Sequence, residues 1–132
     1  MTTIVKFQLA KLLREKGFDK EAKCYHSDGT FQDRQNLYNY NDSMFQDGED
    51  YLISAPTIAE TVTWLYEKYA IWIFVASKTS DGKNIFIPHG RTVPDTIKNG
   101  LIVDLIPYTA KDTPTEAYES AIEYCLTNIT ER

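Results

Sequence analysis

Cysteine is scarce: the chain holds two, Cys24 and Cys125, in 132 residues. Two thiols do not make the disulfide framework of a small secreted domain, and a reducing compartment is the expected setting. Long apolar runs are missing as well. The longest, Tyr69 to Ala76, falls far short of the roughly 20 residues that a membrane-spanning helix needs, so no membrane partner is expected. Met1 to Lys6, "MTTIVK", shows no charged segment followed by an apolar signal region, and a cytoplasmic protein is expected. Internal repeats, low-complexity tracts and interdomain linkers are also lacking. The expectation is one domain over residues 1–132, with an irregular Tyr/Asn/Asp-rich segment at about 27–50.

The usual templates of catalysis are equally thin. No serine stands in a Gly-x-Ser-x-Gly elbow, and no Gly-x-x-x-x-Gly-Lys loop is present to cradle phosphates. The soft or imidazole groups are Cys24, His26, His89 and Cys125, none at the spacing of a zinc knuckle. No metal and no cofactor is expected. Thiol catalysis needs a cysteine of lowered pKa beside a base; Cys24, near His26, Lys20 and Lys23, is the one candidate, and a packed core cysteine is the simpler reading. Asp95 and Asp104 resemble the carboxylates of a metal-dependent nuclease, but Ile106 stands where the water-activating lysine belongs. Asp47 to Asp50 lacks the alternating oxygen ligands of a calcium loop and reads as a turn.

Charge is present but unevenly spread. The net charge of −5 divides into +3 over residues 1–26, −6 over 27–60 and −2 over the remainder. Nucleic-acid binding draws on a dense basic surface, so nucleic acid is not expected as a partner. The acidic middle segment would attract a basic partner; a solvated loop kept in water by its charge is the plainer reading.

Patterning defines the elements. Val5, Leu9, Leu12 and Leu13 recur at helical spacing, which predicts a helix from about Thr3 to Lys16, closed by Gly17 in the left-handed conformation with Phe18 folding back. Cys24 to His26 and Tyr51 to Ile53 read as short strands. Thr57 followed by Glu60 predicts a capped helix, with Ile58, Val62, Leu65 and Tyr69 on one stripe and Trp64 beside it. The strand that follows is apolar on both faces, Ile71, Ile73 and Val75 on one and Trp72, Phe74 and Ala76 on the other. Such a strand needs cover on both sides. Thr79 to Lys83 predicts a hairpin turn with Asn84 to Ile87 returning, after which Pro88, Gly90 and Pro94 read as a loop and Leu101 to Ile106 as a further strand. Thr113, Pro114 and Glu116 open a last helix whose stripe is Tyr118, Ile122, Cys125 and Ile129, widened by Ala121 and Leu126. Together these predict an α+β fold: a small, mainly antiparallel sheet of three to four strands packed by about three helices.

The stretches "KLLREKGFD" (Lys11 to Asp19), Cys24-Tyr25, "APT" (Ala55 to Thr57), Trp64-Leu65 and "PTEAYESAIEYCL" (Pro114 to Leu126) resemble a group of small uncharacterised proteins encoded by phages, prophages and mobile elements of gut bacteria. The resemblance runs, with gaps, through most of the chain and rests on helix starts and stripes. It implies a phage or mobile-element accessory protein in a bacterial host cell, acting on a host or phage component.

The functional expectation is a non-enzymatic protein that binds another protein. Its contacts are expected in the aromatic, acidic segment Asn36 to Tyr51, through Tyr38, Tyr40, Phe45 and Tyr51, because amphipathic rings and adaptable polar groups are the chemistry of recognition loops. Self-association as a homo-oligomer through Trp72 or Phe74 is a variant of this reading. The alternative is a small enzyme or nucleic-acid-acting protein using Asp95, Asp104 and His89 around a cleft; a second is a small-ligand binder with a pocket between sheet and helices.

Overall fold

The computed structural model describes residues 3–46, 48–92 and 109–128. Among them are three α-helices and two antiparallel sheets, of three and two strands: the α+β class. Among the described residues the strands form two small sheets where one was expected, both antiparallel as expected. The chain divides into two compact units, Met1–Ile58 and Ala59–Arg132. The expected strand at Leu101 to Ile106, together with Pro94, Asp95, Asp104 and Ile129, lies outside the described residues.

In the first unit, helix α1 spans Phe7–Glu15 and starts four residues later than its apolar spacing predicts. The reason is local. Thr3, Ile4 and Val5 are β-branched and take an extended course, with Ile4 bridging Thr57. The Val5 N–H donates to the Pro56 carbonyl at 3.0 Å, and the Ile58 N–H donates to the Thr3 carbonyl at 2.8 Å. Those backbone groups are engaged outside the helix. At the other end the expectation holds. Gly17 has φ 85°; its N–H donates to the Arg14 carbonyl at 3.1 Å, and the Phe18 N–H reaches the Leu13 carbonyl at 2.9 Å. This is the Schellman pattern, and it tucks Phe18 into the core. Leu9, Ala10 and Leu13 form the buried stripe, and α1 lies against strand β3 (Leu52–Ala55).

The sheet of this unit runs β2–β1–β3, with β1 at Lys23–His26 and β2 at Phe31–Gln32. Cys24 stands opposite Ser54, and Tyr25 opposite both Ile53 and Phe31. The turn from β1 to β2 needs Gly29: its φ is 93°, and a Cβ there would sit 3.4 Å from the Phe7 ring. Phe7, Tyr25 and Phe31 meet edge-to-face at 5.4 and 5.5 Å, and the Tyr25 hydroxyl donates to the Val5 carbonyl at 2.6 Å.

In the second unit, helix α2 spans Ile58–Tyr69, directly after Thr57 as expected. Thr61, Val62, Trp64 and Leu65 are buried on it. It passes into the hairpin through one residue, Ala70, held at φ 56° with its N–H on the Tyr66 carbonyl at 2.9 Å. Strands β4 (Ile71–Ser80) and β5 (Lys83–Thr92) pair along their full length. Asp81 and Gly82, at φ 51° and 76°, make the two-residue turn with positive φ at both positions that matches strand twist.

Pro88 and Gly90, expected in a loop, lie inside β5 opposite Val75 and Ile73. The backbone alternation explains why a proline fits there. Phe86 exchanges both its hydrogen bonds with Lys111, at 2.9 and 2.8 Å, so its N–H points away from β4. Pro88, two residues on, shares that orientation, and its missing N–H removes no bond from the ladder. Helix α3 (Pro114–Asn128) lies against both strands and buries Ala117, Ala121, Ile122, Cys125 and Leu126. Its start is capped as expected: the Glu116 N–H donates to Thr113 Oγ1 at 3.1 Å, and that hydroxyl donates to the Glu116 carboxylate at 3.2 Å.

Candidate functional site

Residues 36–46 and 48–51 of the first unit are short of regular structure yet tied down by side chains. A polar residue in the middle of β3, Ser54, is fully buried, and its Oγ accepts the Tyr40 N–H at 2.9 Å. Asn41 works in both directions, donating to the Phe18 carbonyl at 2.9 Å and accepting the Ser54 N–H at 3.0 Å. Gln46 Nε2 donates to the Tyr40 and Leu52 carbonyls at 2.8 and 2.7 Å. Asp42 caps the short 3-10 turn Ser43–Phe45 by accepting the Met44 N–H at 3.2 Å. Each bond replaces one that a regular element would have supplied to the backbone.

These clamps sort the four aromatic residues expected to make contacts. Tyr40 is 1% exposed, which corrects its assignment: it is a core residue, with its hydroxyl on the Asn36 carbonyl at 3.0 Å. Phe45 is half-buried, 4.9 Å from the Tyr40 ring. Tyr51 is half-buried beneath the Arg14 guanidinium, 4.6 Å from its ring. Tyr38 alone is open, at 50% exposure, its ring edge-on to Tyr40 at 5.8 Å. Two residues not singled out from the sequence join it at the surface: Leu37 at 43% and Met44 at 72% exposure. Their signal was present in the sequence as apolar residues inside a polar, acidic run, where no apolar period explains them.

On the second unit, the register sets Trp72 opposite Arg91 and Phe74 opposite His89. Trp72 is 44% exposed and meets the Tyr66 ring edge-on at 5.6 Å. Phe74 is half-buried, stacked on His89 at 4.7 Å with 7° between the rings. The Arg91 guanidinium lies 5.0 Å over Phe74. The strand expected to be covered on both faces thus has one buried face, through Ile71 and Ile73, and one that is partly open.

The thiols carry no sign of activation. Burial pushes the Cys24 thiol up, and the Arg34 charge offsets only part of that. Burial alone raises Cys125 to about 12. A nucleophilic cysteine needs the opposite shift. His26 Nδ1 lies 3.4 Å from an Asp50 carboxylate oxygen, in the ion-pair range. Among the described residues, no group of three or more His, Cys, Asp or Glu side chains converges as a metal site. Of the trio His89, Asp95 and Asp104, only His89 is among the described residues, and it stacks on Phe74. No helix among the described residues is long and apolar enough to cross a membrane.

No family model, no curated protein and no solved structure matches this chain.

Proposed function

We propose that the chain is a non-enzymatic binding protein that engages another protein through the Leu37–Met44 surface of its first unit. One observation carries the reading: three large apolar side chains, Leu37, Tyr38 and Met44, stand 43%, 50% and 72% exposed within one short segment. Tyr38 rests on buried Tyr40 and on Phe45, so its ring is presented on a packed base rather than on a mobile loop. Holding such a ring in place beforehand reduces the ordering cost of association. Asp33, paired with Lys23, and Asp50, beside His26, both stay largely exposed in the same acidic stretch, which favours a partner whose apolar contact is bordered by lysine or arginine. A phage or mobile-element accessory factor acting on a host component is the setting that the sequence resemblance implies.

Site-specific photo-crosslinking tests the reading in cells that express the chain. A photoreactive residue at Met44 is expected to capture one protein species, and the same residue at exposed Thr63 on α2 none. An absence of adducts from Met44, or the same adducts from both positions, contradicts it.

A further inference from the structure

The net acidity of the chain conceals a basic strip. In β4 and β5 neither strand contains a single carboxylate, and Asp81 in the turn is the hairpin's one acidic residue. Paired residues of an antiparallel ladder share a face. The register pairs Lys78 with Ile85, Ser80 with Lys83, and Trp72 with Arg91. All three permanent cations of the hairpin, Lys78, Lys83 and Arg91, therefore fall on the face that carries Trp72 and Phe74. The opposite face, through Ile71, Ile73, Pro88 and Gly90, is uncharged and buried.

The rings of this face gather at one end and its lysines at the other, with Ala76 and Ile87 between them. Arg91 and Trp72 stand at one end, Phe74 and His89 next, and Lys78 and Lys83 toward the turn. From residue 72 to residue 80 the face runs about 27 Å at the usual strand rise. That length suits about four nucleotides of an extended single strand, the short end of known site sizes. We infer that this face binds single-stranded nucleic acid, with Trp72 stacking on a base and Lys78, Lys83 and Arg91 lying along the phosphates. Charge complementarity names a polyanion, and the half-exposed indole names one with flat bases to stack on. A single strand exposes its bases to such a ring, whereas a duplex keeps them stacked inside.

The test titrates the full chain with a short fluorescein-labelled oligothymidylate at low salt. Binding is expected, with quenching of tryptophan emission that disappears in Trp72→Ala; the other tryptophan, Trp64, is buried. Trp72→Ala is expected to weaken binding by about tenfold. Three cations give a log–log salt slope of about −2 on a single strand, and Lys78→Gln is expected to reduce its magnitude by about 0.7. Unchanged affinity in Trp72→Ala overturns the inference, as does duplex binding as tight as the single strand. Failure to bind at low salt also overturns it. So does binding of polyglutamate in place of the oligonucleotide, or self-association that the oligonucleotide does not compete with, which would assign the strip to an acidic protein segment or a second copy.

Discussion

The two units hold their aromatic residues by different means. In the first, Tyr38, Tyr40 and Phe45 are placed by side-chain amides and a buried serine that grip an irregular backbone. In the second, Trp72, Phe74 and His89 are placed by a continuous ladder, in which strand alternation alone decides who faces whom. The difference teaches where a ring's exposure can be read from spacing and where it cannot. Alternation assigns Trp72 and Phe74 to one face before any coordinate is seen. Nothing in the spacing of Tyr38 and Tyr40, two residues apart in a segment without strand pairing on both sides, says that one is open and the other buried.

The sharpest way to break this contrast is to truncate one ring from each unit. Tyr40→Ala is expected to cost about 3–5 kcal/mol in urea unfolding, the range for emptying a buried aromatic site. Trp72→Ala is expected to stay within about 1 kcal/mol, as a substitution at a partly exposed position away from the core. Equal losses would remove the distinction between the units. Next in size is the clamp itself. Asn41→Ala leaves the Ser54 N–H buried without its acceptor and is expected to cost about 1–3 kcal/mol. Thr113→Ala, which removes the cap of α3, is expected to cost about 1 kcal/mol by the same assay. A clamp loss no larger than the cap loss would mean that the irregular segment is held by packing rather than by its amides.

Smaller effects sharpen the comparison further. Ala70 occupies the left-handed region between α2 and β4, where glycine carries no Cβ penalty, so Ala70→Gly is expected to raise stability by about 0.5–1 kcal/mol. A drop in the thermal midpoint would show that the Ala70 methyl packs more than it strains. The smallest effect at neutral pH concerns the thiols. Cys125 is raised from 9.0 to about 12 in the folded chain, and Cys24 is raised as well. A folded pKa above the unfolded one means that the native state binds more protons between the two values, so stability is complete below about pH 9 and is lost progressively as pH rises toward about 12. Cys125→Ala should flatten that alkaline decline in a pH series of urea midpoints, and an unchanged decline would locate its origin elsewhere.

Much of the fold was legible because it obeys short-range chemistry. Gly17 with Phe18, Thr113 with Glu116, and the Asp81–Gly82 turn each act within a few residues, and each sits where its residue types predict. The departures from expectation come from long-range demands. The start of α1 was lost to a bridge with Thr57, more than fifty positions along the chain, although the β-branched run Thr3 to Val5 hinted at it. Pro88 and Gly90 suggest a loop because proline and glycine usually interrupt strands, whereas a strand position with its N–H turned away from the ladder tolerates both. For the candidate site, Tyr38 stands in the open, as a contact residue has to. Tyr40 does not, and its burial depends on Ser54 and Asn41, whose polar side chains carry no periodic signal. The basic strip is hidden in the sequence for another reason: charge summed over long segments averages away a face that only the register separates.

The account stands most directly on the Leu37→Ser/Met44→Ser double variant, measured for partner capture and for unfolding by urea on the same preparation. The prediction is that the crosslinked or captured partner is lost while unfolding free energy changes by less than about 1 kcal/mol, since Met44 is largely in solvent and Leu37 is well exposed at the surface. Undiminished capture, or a stability loss as large as that of Tyr40→Ala, would contradict the assignment of this surface to a partner.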